Sequence, residues 1–294
     1  HKRGTRRDLL RVGGSVAGLL ALASVPACRA DPRLRTIGSY PFKLGVASGD
    51  PEPDLVVLWT RIDREALESI GAHETSVAIG YELARDDNFR EIVRTGSAIA
   101  YPEFGHSISA EVGGLDPDHE YFYRMIVGGE VSPVGRTKTA PAPGSTPDRM
   151  KFAFASCQDY EDGYFTALQH LAQEDLDFIV HLGDYIYEAG ENGFGGEAGK
   201  RIGRIHEPRH EIVSLDDYRR RHAQYKTDQG SLAMHARHPL IVMWDDHETA
   251  NNPWMDGASN HQPEEGSWAA RRAASLQAFY EWLPIRDPGP GGSR

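Results

Sequence analysis

The chain has 294 residues, 39% hydrophobic and 26% charged, enough for about two domains and a sizeable core. Its net charge of −11 argues against binding nucleic acid through the phosphates, which needs a basic face, and leaves room for bound cations. It has two cysteines, Cys28 and Cys157; with Cys28 removed or lipid-modified, no intramolecular disulfide can form and Cys157 is a lone thiol.

In chain order, the first element is an address. Thr5-Arg6-Arg7-Asp8-Leu9-Leu10-Arg11 precedes a weakly apolar run at residues 12–25, rich in Gly and Ala. A basic start, an apolar middle and a small-residue exit describe a secretory signal over residues 1–30, with paired arginines of the twin-arginine type. Residues 12–25 are too short for a comfortable membrane span. Val25-Pro26-Ala27-Cys28 resembles a bacterial lipobox apart from its proline, which makes Cys28 a candidate lipid anchor. The expected partner is the twin-arginine export machinery, and the expected location is periplasmic or extracellular.

Residues 38–140 alternate short strand patterns with Gly, Pro and Asp turn signals. Residues 56–59, 76–83, 107–112 and 121–127 read as strands. Leu115-Asp-Pro-Asp-His-Glu-Tyr121 resembles the tyrosine corner of immunoglobulin-like and fibronectin-type sandwiches. An all-β fibronectin III/Ig-like sandwich is expected, with Trp59 and Tyr121 in its core. Residues 141–148 are proline-rich and read as a stiff linker.

From residue 149 the pattern changes to β-α-β. Strand 150–156 is followed by a helix with Phe165, Leu168, Leu171 and Ala172 at helical spacing, then by strand 178–182. Residues 190–203 form a glycine-rich surface loop, Ser214 caps a helix bearing Arg219–Arg221, and a third strand begins near Leu240. Each of the three strands runs into metal-loving side chains: Cys157, then Asp184 with Tyr187, then Asp246 with His247. Ligands in α/β sheets collect beyond the carboxyl ends of strands, so these residues are the material of a polynuclear metal site. Phosphate-ester hydrolysis is the chemistry that most often needs one. The competing readings are bland: a buried structural thiol for Cys157, a turn for Asp184, a core ring for Tyr187. Asp159 reads as a helix cap, Asn251 and Asn252 as loop-shaping residues, and the arginines at 201, 204 and 219–221 as a solvated face. Residues 195–201 echo a phosphate-binding loop with the wrong spacing, and His247-Glu248 lacks the second histidine of a zinc protease.

Phe154-Ala-Ser-Cys157-Gln158, His181-Leu-Gly-Asp184-Tyr-Ile-Tyr187-Glu188 and Trp244-Asp-Asp246-His247-Glu248 resemble the signature blocks of the PhoD-like alkaline phosphatase/phosphodiesterase family. The resemblance implies an α/β metallophosphatase sandwich (α/β/β/α) over residues 149–294, preceded by the β-sandwich. It implies that Asp184 bridges two metals and that Tyr187 and Cys157 bind Fe³⁺. Asp246 would bind the second ion, Ca²⁺, and His247 would be the catalytic residue beside the substrate. Asp245, Glu248 and Asn252 are candidates for supporting these ligands or touching substrate. Asp245 and Asp246 compete for one role, and Asp246 is favoured. Thiolate and phenolate suit Fe³⁺, and carboxylates suit a hard divalent ion. A metal-dependent phosphoesterase is expected, cleaving mono- or diesters with hydroxide that the metals make available. The alternatives are a phospholipase D-like hydrolase of lipid headgroups and a non-catalytic secreted binding module. Further ligands are expected beyond residue 294, since the chain stops without closing the pattern.

Overall fold

The computed structural model describes residues 37–286. The expected signal, the apolar run at 12–25 and Cys28 lie outside these residues. Among the described residues no helix is long and apolar enough to cross a membrane.

The first half is all-β, apart from one short helix, α1 (Arg64–Glu68), and a single 3-10 turn at Pro102–Phe104. Its strands are β1 (Val46–Gly49), β2 (Leu55–Arg61), β3 (Val77–Ala84), β4 (Ile92–Ala100), β5 (Ser107–Gly113), β6 (Glu120–Val127), β7 (Glu130–Val131) and β8 (Gly135–Lys138). One antiparallel sheet runs β4-β3-β6-β7, with β8 also paired to β6. It faces β5-β2-β1, and Val56, Leu58, Ile79, Leu83, Tyr121 and Met125 fill the space between. The alternation that sandwich packing requires is plain in β6, whose every second residue is buried. The expected tyrosine corner is present: the Asp116 amide donates to the Tyr121 hydroxyl at 2.9 Å.

The second half supplies β9 (Phe152–Ala155), α2 (Thr166–Leu171), β10 (Phe178–His181), α3 (Gly196–Ile202), α4 (Leu215–Tyr225), α5 (Gln229–Arg237), β11 (Leu240–Val242) and α6 (Trp268–Trp282). Ser214 caps α4 as expected: its hydroxyl accepts from the Asp217 amide, and the Asp217 carboxylate accepts from the Ser214 amide. Strands β9, β10 and β11 are parallel neighbours, joined by right-length crossovers.

The two halves are not separate along the sheet. Gly49 of β1 pairs in parallel with Leu240 of β11, so one six-stranded mixed sheet runs β5-β2-β1-β11-β10-β9. Register fixes which residues share a face. Ala47, Trp59, Ile179 and Leu240 lie on one side, in a single core with Tyr185, Tyr218, Phe279 and Trp282. Trp59 is therefore buried as expected, but in the helical layer; its indole donates to the Glu281 carbonyl at 2.8 Å. On the opposite side the sandwich covers β5-β2-β1, while Phe152 and Phe154 of β9 stand exposed. The second sheet of a four-layer α/β/β/α arrangement is not among the described residues; what they contain is an α/β half built on a mixed sheet.

Beneath β10 lies a layer of buried bases. His181, His222, His235 and Lys226 surround the Tyr185 ring, all nearly inaccessible to water. The Tyr185 hydroxyl meets His235 Nε2 at 2.7 Å, and Lys226 Nζ sits 4.3 Å from the Trp59 ring centroid. No carboxylate is paired with Lys226 among the described residues. Burial lowers His181 to about 4, His222 to about 3 and Lys226 to about 7, and takes His235 well below its usual value.

Two tests follow from this layout. A Cβ on Gly49 would meet the Pro284 carbonyl oxygen at 2.2 Å and the Leu240 carbonyl oxygen at 2.5 Å. Gly49→Ala should therefore lower the chemical denaturation midpoint, costing about 1–3 kcal/mol with an unchanged slope. An unaltered midpoint would show that the halves do not share this sheet. Lys226 gives a pH signature. Its amine titrates near 10.5 in water and near 7 in the fold, so between those values the unfolded chain binds more protons. Stability should rise with pH from about 7 to about 10.5, by up to roughly 1.4 kcal/mol per pH unit from this group. Lys226→Met should be more stable than the parent at pH 7 and nearly flat across that window; an unchanged slope would refute the assignment.

Candidate metal centre

The parallel strands end on one side, and the chain continues past each end into a tight turn. Pairing persists irregularly beyond β9 and β10: the Cys157 amide donates to the Gly183 carbonyl at 3.2 Å, and the Gln158 amide to the Asp184 carbonyl at 3.1 Å. These bonds bring Cys157 beside Asp184. Both residues are left-handed, with φ of 57° and 53°, as is Asn252 at 47°. Such backbone costs of order 1–3 kcal/mol at each non-glycine and persists only where the surroundings hold it. At Gly183, φ is 101° and a Cβ would lie 2.3 Å from that of Asp245, so this turn and the one after β11 are in contact.

Asp184 is the hub. Its Oδ2 accepts from Cys157 Sγ at 3.4 Å and from the Tyr187 hydroxyl at 3.3 Å. Its Oδ1 is buried without a partner. Asp184, Asp246 and His247 each offer a ligand atom, and these atoms lie within 4.8 Å of one another. Burial raises the Asp184 pKa against the opposing pull of His247 and Cys157, and Asp246 and Asp245 add to the rise. Burial, then the Asp184 charge, also raises the Tyr187 phenol. A site that holds its own anions at such a cost is one that a cation would relieve, because a bound ion reverses this balance. The thiol, phenol, carboxylates and imidazole gathered here are a fitting donor set for a hard or borderline metal.

The structure therefore brings together Cys157, Asp184, Tyr187, Asp246 and His247. Asp245 is exposed, and it is Asp246 that joins the cluster of ligand atoms. Glu248 takes no part as a ligand. It is buried, its two oxygens accept from the Tyr185 amide at 2.6 Å and the Asp245 amide at 2.9 Å, and burial pushes its pKa to about 7. Asn252 is exposed and presents its backbone, donating its amide to Asp246 Oδ2 at 2.7 Å. The segment carrying Asp246 and His247 is clamped by Trp244 against Phe279 of α6 and by Thr249 against Ser275.

Glu188 was not singled out from the sequence, yet it holds the histidine. Its Oε2 meets His247 Nδ1 at 2.7 Å, and its Oε1 accepts from the Asn251 amide and the Asn260 side chain. Burial alone would lower the His247 pKa; the Glu188 bond and the nearby Glu188, Asp246 and Asp184 charges outweigh it and raise it. The His247 ring stacks on Tyr187, centroids 4.3 Å apart.

Three expectations are corrected. Arg221 is fully buried rather than solvated, donating to the carbonyls of Tyr187, Ala189 and Pro208, which fixes the backbone behind Tyr187. Arg204 is likewise buried, 3.6 Å from the Tyr160 ring centroid and paired with Asp228. Asp159 caps no helix: its Oδ1 accepts from the Glu161 amide and lies 3.4 Å from His206, ahead of the start of α2. Residues 190–203 are not all loop, since they include α3.

Residues 152–294 match the PhoD-like phosphatase family, and residues 27–141 match the PhoD-like phosphatase N-terminal domain. Alkaline phosphatase D of Bacillus subtilis (strain 168) is 46% identical, over 96% of this chain and 48% of that protein. A solved structure of PhoD aligns with a TM-score of 0.79 at 48% identity, covering 87% of this chain and 48% of its own. The chain thus spans about half the length of the curated relative it matches.

Proposed function

Because the chain belongs to the PhoD-like phosphatase family, we propose that it acts as a metal-dependent phosphoesterase on phosphomonoesters, phosphodiesters or both. One observation carries the reading: three parallel strand ends place ligand atoms of Asp184, Asp246 and His247 within 4.8 Å, with Cys157 and Tyr187 on the same Asp184 oxygen. The proposed ions are Fe³⁺, held by Cys157, Tyr187 and Asp184, and Ca²⁺, held by Asp184 and Asp246. When bound, they supply neutralisation of phosphoryl charge and acidification of water.

The chain's own residues do the remainder. Asp184, with Oδ2 beside Cys157 and Tyr187 and Oδ1 unpartnered, would be the carboxylate the two cations share. The Arg221 bond to the Tyr187 carbonyl keeps the phenol in place. With Nδ1 committed to Glu188, His247 has Nε2 left to meet substrate on the side of the leaving oxygen. Glu248 fixes the spacing of the second and third turns. In the same reading, the first half is a fibronectin III/Ig-like sandwich, supported by the Tyr121 corner, and the second is part of an α/β/β/α metallophosphatase sandwich. The paired arginines at 6 and 7 support export by the twin-arginine machinery to the periplasm or beyond, with Cys28 as lipid acceptor.

The experiment is elemental analysis of the full-length protein together with hydrolysis of a monoester and a diester. Asp184→Asn should lose metal and turnover together, by more than the roughly 10–100-fold cost of removing an outer partner of a metal ligand. Tyr187→Phe should bleach or shift a visible ferric charge-transfer band. Full activity in a colourless, iron-free protein would overturn the iron assignment, and near-normal metal and turnover in Asp184→Asn would overturn the site.

A further inference from the structure

Phe194 is out of place by the ordinary rules of burial. The residue is 60% exposed, yet its ring stands edge-on to His247 at 4.9 Å and 76° and to Tyr187 at 5.7 Å and 67°. It forms the outer member of a three-ring group whose inner pair, Tyr187 and His247, belongs to the metal centre. The turn carrying it is close-packed. A Cβ on Gly193 would meet that of Ala189 at 2.4 Å, one on Gly195 the Asp162 amide nitrogen at 2.8 Å, and one on Gly196 the Glu191 carbonyl oxygen at 2.6 Å. The Gly193 amide donates to the Gly190 carbonyl, and the Glu191 amide to the Arg209 carbonyl, both at 2.8 Å. The glycines at 193, 195 and 196 thus let the turn that presents the ring pack closely on Asp162, Ala189 and Glu191.

We infer that Phe194 is a specificity-determining residue, an apolar wall for the leaving group on the His247 side of the centre. The inference rests on the phosphoesterase reading. Because His247 is placed to serve the leaving oxygen, a ring in contact with it borders the alcohol being expelled. An aromatic face at that position favours flat, apolar leaving groups over polyols. Edge and stacking contacts between rings, added to the apolar area they cover, amount to about a five- to tenfold preference.

The test uses the full-length, metal-loaded protein and two unreactive probes. Benzylphosphonate places a phenyl ring where an aryl ester carries its leaving group, and methylphosphonate lacks it. Calorimetric Kd values should favour benzylphosphonate in the parent. In Phe194→Ala that preference should fall by about five- to tenfold, in Phe194→Leu by less, and in Phe194→Trp it should persist. The kcat/KM ratio for phenyl phosphate over glycerol phosphate should move in parallel. A benzyl-over-methyl ratio within about twofold of the parent in Phe194→Ala would overturn the inference. So would equal weakening of both probes, which would mean that Phe194 only props His247. If the parent binds neither phosphonate and cleaves neither ester, the phosphoesterase reading itself fails and this inference falls with it.

Discussion

A single buried carboxylate couples the second and third strand ends. Glu248 accepts the amide of Tyr185 with one oxygen and that of Asp245 with the other, so the residues on either side of it, Asp184 and Asp246, cannot drift apart independently. Backbone amides at tight turns are obligatory donors, and burying them without an acceptor is costly. Glu248 answers that requirement at two turns at once. The left-handed conformation of Asp184 and the contact between Gly183 and Asp245 are both tolerable because this link holds.

Buried groups behind the site then fix the orientation of its side chains. Glu188 commits one nitrogen of His247, and Arg221 commits the carbonyl of Tyr187. Neither is itself one of the grouped residues Asp184, Asp246 and His247. Both are buried ions with several hydrogen bonds each, the condition under which a buried charge is sustainable. These satisfied buried charges hold still side chains that would otherwise rotate freely.

The chemistry-bearing strands were legible because residues 151–157, 178–187 and 240–248 join β-branched or aromatic runs directly to donor residues, and strand ends are where such residues gather. Ser214 and Tyr121 were legible for a related reason: a cap and a corner are local, and their partners lie within a few residues. What escaped was set by distant partners. β1 is only VASG, too short and too small to show a pattern, and it is a strand because Leu240 and Trp59 flank it. β4, with its mostly exposed IVRTGSAIA, shows no clean alternation. Arg221 belongs to a run of three arginines that reads as a wet helix face, and only the packing of residues 187–208 against α4 reveals one of them as buried. Glu188 lay inside a recognised block, but its role depends on His247, which is remote in sequence.

The shared sheet also bears on how the chain is made. Gly49 leaves the ribosome about 190 residues before Leu240, the neighbour that completes its side of the sheet. At roughly 5–20 residues per second, β1 waits on the order of 10–40 seconds for β11. Trp59 waits longer still for Trp282 and the Glu281 carbonyl. During synthesis the sandwich can close its own inner face early, but its outer face, with Ala47 and Trp59, stays wet and apolar until α6 emerges. The later strands and helices thus complete a face that the first half cannot bury by itself.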